Sequence, residues 1–226
     1  MFQASLRARS DHTNAVVTAT GSMPEVAALE KIGTRMTLER GKALFHEGDP
    51  ADHVYKVVNG AIRTSRLMSD GRRYVLDFLF PGDFVGINED SVRTMTAEAI
   101  CETVLMRYPR RLFEAVVEED RGLGRLVYAA LCDGLASAQD RMLLLGRKTA
   151  IERIASFLLM MADRRPDGRV ELPMTRADIA DYLGLTVETV SRILSQLKAE
   201  GVIAMREPTR IVLVRRAKLE SLADGA

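Results

Sequence analysis

The stretch "LGLTVETVSRILSQLKAEGVI", Leu183–Ile203, decides the reading of this chain. Within it Thr186–Leu197 has helical spacing: Val190, Leu194 and Leu197 recur at steps of four and three, one apolar face of an amphipathic helix. Glu188, Ser191, Arg192 and Ser195 form a second stripe at i, i+3, i+4 and i+7. Two chemistries suit that stripe. Glu188 near a helix start complements the macrodipole, and a Glu188–Arg192 pair four residues apart stabilises an exposed helix by about 0.2–0.5 kcal/mol. Alternatively the face reads a duplex. Arginine donates a bidentate pair to guanine O6 and N7, glutamate accepts from the cytosine amino group, and serine bonds a base edge or a phosphate.

The flanking residues bear on that choice. "TRADIADYLGL", Thr175–Leu185, predicts a second short helix, with Thr175 and Asp178 in a capping-box-like spacing. Gly184 ends it, and Thr186 is placed to cap the next helix and leave its N-terminus open to a phosphate. Ala180, Gly184 and Val190 supply a small residue for close approach, a turn and an apolar anchor, the pattern of a helix-turn-helix. "GVIAMREPTRIVLVRR" then reads as a hairpin turning at "EPTR", a wing. In that arrangement the second helix enters the major groove with its N-terminal residues toward base edges. The candidate DNA contacts are Glu188, Ser191 and Arg192, with Thr175, Arg176, Thr186, Thr189 and Ser195 beside them.

Upstream, Thr149–Ala162 predicts a helix ended by "RRPDGR", and "VELPM" a short strand. Tyr128, Leu131, Leu135, Ala138, Met142 and Leu145 follow a heptad seam. Such a seam packs either on its own core or on its copy across a two-fold axis, and a position between two unlike domains favours the copy. From Thr37 to about Tyr108 short alternating runs are broken by "GDP", "NG", "SDGRR" and "PGD", which predicts an antiparallel sandwich or roll. The Asp-Gly of "SDGR" is a tight-hairpin signal. "PEVAALEKIGTRM" suits a short helix. The expected organisation is a flexible N-terminal arm at 1–22, a β-roll sensor-like domain at 23–111, a dimerisation helix region at 112–146 and a winged helix-turn-helix at 147–226, an α+β chain.

Composition permits this and narrows the rest. With 226 residues and 47% hydrophobic composition the chain suits one large domain or two small ones, and a net charge of +1 gives no global nucleic-acid signal. A slight acidic excess before residue 147 gives way to a slight basic excess after it. Cys101 and Cys132 form no C-x-x-C pair and no ligand cluster with His12, His46 or His53, and read as buried free thiols in a reducing compartment. No apolar run reaches about 18 residues, and "MFQASLRARSDHTNAVV" lacks a signal-peptide apolar region, so a soluble cytoplasmic protein is expected. No nucleophile–base set or paired-carboxylate pocket can be argued, so an enzyme is not expected.

"LPMTRADIADYLGLTVETVSRILSQL" resembles the winged helix-turn-helix of the CRP/FNR transcription regulators, and Glu188, Ser191 and Arg192 match the E-x-x-S-R pattern of the FNR branch. "ERGKALFHEGDPADHVYKVVNGAIRTSRLMSDGRRYVLDFLFPGDFVG" resembles the family's β-roll, related to cyclic-nucleotide-binding domains, and "AQDRMLLLGRKTAIERIASFLL" the end of its dimerisation helix. Residues 35–220 are covered. The resemblance implies a homodimer on a palindrome of the type TTGAT-N4-ATCAA and recruitment of RNA polymerase. Half-sites about one helical turn, 10–10.5 bp, apart suit a two-fold dimer.

Departures from the family pattern bear on the signal. FNR-type oxygen sensors hold an iron–sulfur cluster on N-terminal cysteines plus one in the β-roll, whereas this chain has none before Cys101 and carries Met106 at the β-roll position. CRP-type receptors bind cyclic AMP through a Glu and an Arg-Ser pair after the "PGDFVG" segment. Here Arg93 and Thr94 could mimic the pair, but Glu89 and Asp90 would repel a phosphate. No cofactor is expected, and the chain is most similar to the FixK-type subgroup, controlled by expression under oxygen limitation. Two alternatives stay open: the same DNA activity gated by a small molecule or haem, with His46 or His53 as iron ligand, and a β-roll regulatory subunit that does not bind DNA.

Overall fold

The computed structural model describes residues 24–89, 91–164, 169–207 and 209–225. The expected arm at 1–22 lies outside the described residues, as do Asp90 and the Pro208 of the wing turn. The chain forms two compact units, the first reaching Ser137 and the second running from Ala138.

The first unit carries helix α1 (Pro24–Ile32) and eight strands: β1 (Thr34–Leu38), β2 (Ala43–Phe45), β3 (His53–Asn59), β4 (Ile62–Leu67), β5 (Arg73–Leu79), β6 (Phe84–Val85), β7 (Thr96–Ala99) and β8 (Thr103–Pro109). They make two four-stranded sheets, ordered β1-β8-β3-β6 and β2-β7-β4-β5, with antiparallel pairings throughout. This is the expected roll. Period-two alternation sends Tyr55 and Val57 inward, where they meet Phe45, Ile62, Val85, Ala97, Ala99 and Leu105 from both sheets. Val54 and Tyr108 point the other way and join Leu29, Phe84, Phe113 and Leu123 in a second layer. Phe113 packs edge-on to Phe84 with ring centroids 5.8 Å apart, and burial there pushes the Tyr108 phenol up to about 12. The "SDGR" hairpin joins β4 to β5: the Gly71 amide donates to the Met68 carbonyl at 2.9 Å, and the Arg72 amide to Asp70 Oδ1 at 3.0 Å.

The helical region beginning near Leu112 is two helices rather than one, α2 (Arg110–Glu119) and α3 (Arg121–Arg147). Asp120 divides them with an extended backbone, φ −101° and ψ 103°. Its Oδ1 accepts the Gly122 and Leu123 amides at 2.8 and 3.1 Å, so the carboxylate starts a new helix where the sequence pattern runs on.

The second unit contains α4 (Ala150–Asp163), β9 (Arg169–Glu171), α5 (Arg176–Leu183), α6 (Val187–Ala199), β10 (Ile203–Glu207), β11 (Arg210–Leu213) and α7 (Arg216–Ala223). The strands form an antiparallel sheet ordered β10-β11-β9, which is the expected hairpin with "VELPM" contributing a third strand. The sequence pattern set the start of this domain at 147, but the unit begins nearer the middle of α3. The last turns of that helix pack inside it, where the Arg141 guanidinium lies 5.1 Å from the centre of the Tyr182 ring. Helix α7 had no counterpart in the sequence reading; its Leu219 is fully buried. Among the described residues no helix is long and apolar enough to cross a membrane.

Candidate nucleic-acid interface

Two local devices fix the helix pair. Thr175 and Asp178 close a reciprocal capping box on α5: the Thr175 hydroxyl accepts the Asp178 amide at 3.1 Å, while Asp178 Oδ2 accepts the Thr175 amide at 2.9 Å. Gly184 ends α5 in the left-handed region, φ 62° and ψ 42°, where a side chain would be strained. The Thr186 hydroxyl then accepts the Thr189 amide at 3.2 Å and starts α6. Val190, Ile193, Leu194 and Leu197 are all buried, and their burial contributes on the order of 1.5–3 kcal/mol each. That anchorage leaves Glu188, Ser191, Arg192 and Ser195 exposed on the opposite side.

The exposed stripe is not the ion pair that its spacing allowed. Among the described residues no bridge joins Glu188 to Arg192, and the Arg192 guanidinium makes no hydrogen bond or ion pair. Hydrogen bonds from its own amide and from the Thr186 hydroxyl instead hold the Glu188 carboxyl below the usual carboxylate range, so it is an ionised acceptor. The Ser195 hydroxyl donates to the Ser191 carbonyl at 2.9 Å, one turn back along α6. Thr175 and Thr186 are exposed but engaged as caps, and Thr189 is half-buried. Arg176, also half-buried, has its guanidinium shifted below its ordinary value by desolvation. The stripe thus offers one cation, one anion and two hydroxyls on a rigid helix, and the wing strands β10 and β11 follow in the same unit.

Sequence reasoning missed the residue that ties this unit together. Arg153, on α4, donates to the carbonyls of Leu145, Lys148 and Leu183, each at 2.9 Å. It therefore closes the C-terminal ends of α3 and α5 at once, where helix carbonyls lack partners. An arginine on a helix gives no sequence signal of such a role, because its acceptors are backbone carbonyls, and the Leu183 carbonyl belongs to a different helix. Arg153→Ala should lower the unfolding free energy by about 3 kcal/mol or more, and Arg153→Lys should recover only part of that. Chemical denaturation of the two variants checks this; an Arg153→Ala midpoint within error of the parent would contradict it.

The proposed seam residues sit along α3. Tyr128, Leu135 and Met142 are 70%, 62% and 73% exposed, far more than core side chains, and Leu131 and Ala138 are exposed too. Leu145 is half-buried. The cysteines correct the expectation of buried thiols: Cys101 is half-buried and Cys132 exposed on α3. The last residue of the helix packed against the β-roll layer is Ala130, and Leu131 to Leu135 are exposed, so Cys132 has no core to enter. Interaction with the Cys132 thiol raises the Tyr128 phenol above its ordinary range.

A family model described as a Crp-like helix-turn-helix domain matches residues 152–222, and one described as a cyclic nucleotide-binding domain matches residues 35–120. The nitrogen fixation regulation protein FixK of Rhizobium meliloti is 42% identical over 189 residues, 83% of this chain and 86% of that protein. The chain belongs to the CRP/FNR family of transcription regulators. The transcriptional activator protein FnrL of Cereibacter sphaeroides is 36% identical over 204 residues, 86% of this chain and 82% of FnrL. The structure of FixK2 from Bradyrhizobium japonicum matches with a TM-score of 0.80 at 42% identity, covering 84% of this chain and 97% of that one. The chain is accordingly a DNA-binding transcription regulator rather than an enzyme.

The family's β-roll raises the question of a cyclic nucleotide, and the residues here do not fit its phosphate. Arg93 and Thr94 are both engaged by Glu89: Arg93 Nη1 lies 2.8 Å from Glu89 Oε2, and the Thr94 amide 2.8 Å from Oε1. The carboxylate expected only to repel a phosphate stands where the phosphate's partners point. His46 lies in an exposed turn, its amide bonded to Asp49, and His53 is half-buried on β3. Burial and the Arg107 charge lower the His53 imidazole below its ordinary value.

Proposed function

We propose that this chain is a transcription activator that binds a TTGAT-N4-ATCAA-type palindrome as a homodimer, recruits RNA polymerase, and serves a response to low oxygen. The observation that carries the reading is the polar stripe of α6: a buried apolar face and a capped start hold Arg192 and Glu188 outward, with the arginine free of protein partners among the described residues. Arg192 donates to guanine O6 and N7, Glu188 accepts from the paired cytosine amino group, and Ser191 bonds a base edge or phosphate. Thr175, Arg176, Thr186, Thr189 and Ser195 flank them, positioned for backbone contacts that set register.

The heptad of α3 supports the dimer, since five of its six seam positions are exposed and suit a copy of the same helix. The names of the relatives, a nitrogen fixation regulator and a transcriptional activator, support activation. The engagement of Arg93 and Thr94 by Glu89 supports a β-roll that works without a nucleotide.

Fluorescence anisotropy with single-base variants of the palindrome tests the reading. Glu188→Ala should lose preference at the C·G pair while keeping or raising non-specific affinity, because a negative charge leaves the DNA face. Non-specific affinity that falls instead would make Glu188 a structural residue.

A further inference from the structure

We propose that Glu89 is a tethered anion seated in an oxyanion cradle of the β-roll, and that this cradle takes a free small carboxylate once the tether is cut. The pair is wholly buried, with side-chain exposures of 1% for Arg93 and 0% for Glu89. Both carboxylate oxygens are held. Arg93 Nη1 donates to Oε2 at 2.8 Å, and the Thr94 amide and hydroxyl donate to Oε1 at 2.8 and 3.1 Å. A charged donor, a backbone amide and a hydroxyl converging on one carboxylate is the chemistry of an oxyanion site.

The cradle is built without help from Glu89. The Arg93 guanidinium stacks 3.9 Å from the centre of the Phe45 ring, and its Nη2 donates to the His53 carbonyl at 2.6 Å. Gly86, at φ 77°, leaves the space the guanidinium fills: a Cβ there would overlap Arg93 Nη1. Arg93 Nε is buried with no partner among the described residues, a spare donor in the same site. Glu89 lies in the segment between β6 and β7, the same segment that carries Arg93 and Thr94. Arg110, the first residue of α2, fastens the start of that segment by donating to the Gly86 carbonyl at 2.6 Å and to the Ala51 carbonyl at 2.5 Å. The β-roll thus supplies from its own chain the anion that Arg93 and Thr94 would otherwise take from solution. This explains why they fit no phosphate, and it deepens the nucleotide-free reading above.

Glu89→Ala removes one methylene and the carboxylate, the non-hydrogen atoms of acetate. Stripped of its buried partner, Arg93 should lower the melting temperature of the full chain by about 10 °C. Sodium acetate at about 100 mM should restore several degrees in a saturable manner, relative to sodium chloride at equal ionic strength. Acetamide, the neutral analogue, should restore nothing, and the parent protein should respond to neither. If Glu89→Ala does not fold in chloride, the same comparison is read as refolding yield, with recovery expected in acetate alone. Equal behaviour of the variant in acetate, chloride and acetamide, or an equal acetate response in the parent, would overturn the proposal. Neither readout involves DNA, so failure here and failure of the DNA-binding reading are separable.

Discussion

Leu135→Asp should separate the dimer. In the single chain this side chain is 62% exposed at the middle of the α3 seam, so a buried role for it exists only in a pair. Two helices related by a two-fold axis bring the two copies of each seam position close together. An aspartate there would place two carboxylates in an apolar contact, and each uncompensated buried ion costs several kcal/mol. The dimer fraction in analytical ultracentrifugation should therefore collapse at concentrations where the parent is dimeric. Affinity for the palindrome should fall with it by about 100-fold or more, because two recognition helices no longer engage as one unit. Leu135→Ala loses contact without adding charge and should fall between the two. A dimer unaffected by Leu135→Asp would place the interface elsewhere on the chain.

Arg192→Ala should cost about 1–3 kcal/mol at each half-site, and about twice that for a dimer on the full palindrome. Since the guanidinium has no partner among the described residues, its removal leaves no unpaired group in the protein, and melting should be unchanged. The loss is then one of recognition. Replacing the half-site guanine should weaken binding of the parent strongly and of Arg192→Ala hardly at all. Arg192→Lys keeps the charge but not the planar fork, so it should retain non-specific affinity and lose discrimination. Unchanged discrimination in Arg192→Ala would remove it from the base contacts.

Much of the framework that presents these two residues was legible in the sequence. Val190, Leu194 and Leu197 fix which side of α6 is buried, and their periodicity alone shows it. The capping roles of Thr175 and Thr186, the turn at Gly184 and the "SDGR" hairpin are equally local, each written within a few residues. The roll followed from alternation and turn residues. What stayed hidden is one local cap inside an unbroken helical pattern, and side chains whose partners or surroundings come from elsewhere in the chain. Asp120 breaks a continuous helical pattern with one carboxylate, and Arg153 closes two helix ends through carbonyls of Leu145, Lys148 and Leu183. Glu89 and Arg93 are four residues apart, yet only the enclosing rings and the Gly86 turn turn them from a solvated pair into a buried one. Cys132 is exposed because α3 has left the core by that point, which its own residue type argues against.

The central claim is that this chain reads a palindrome as a dimer with no added effector. Its most direct test is a titration of the purified full-length protein against a TTGAT-N4-ATCAA duplex, with and without cyclic AMP, beside a duplex whose spacer is five base pairs longer. The account predicts tight binding without nucleotide, no gain on adding it, and a large loss on the lengthened spacer, which turns one half-site to the opposite face of the helix. Binding that appears only with cyclic AMP, or that ignores the spacer, would contradict it.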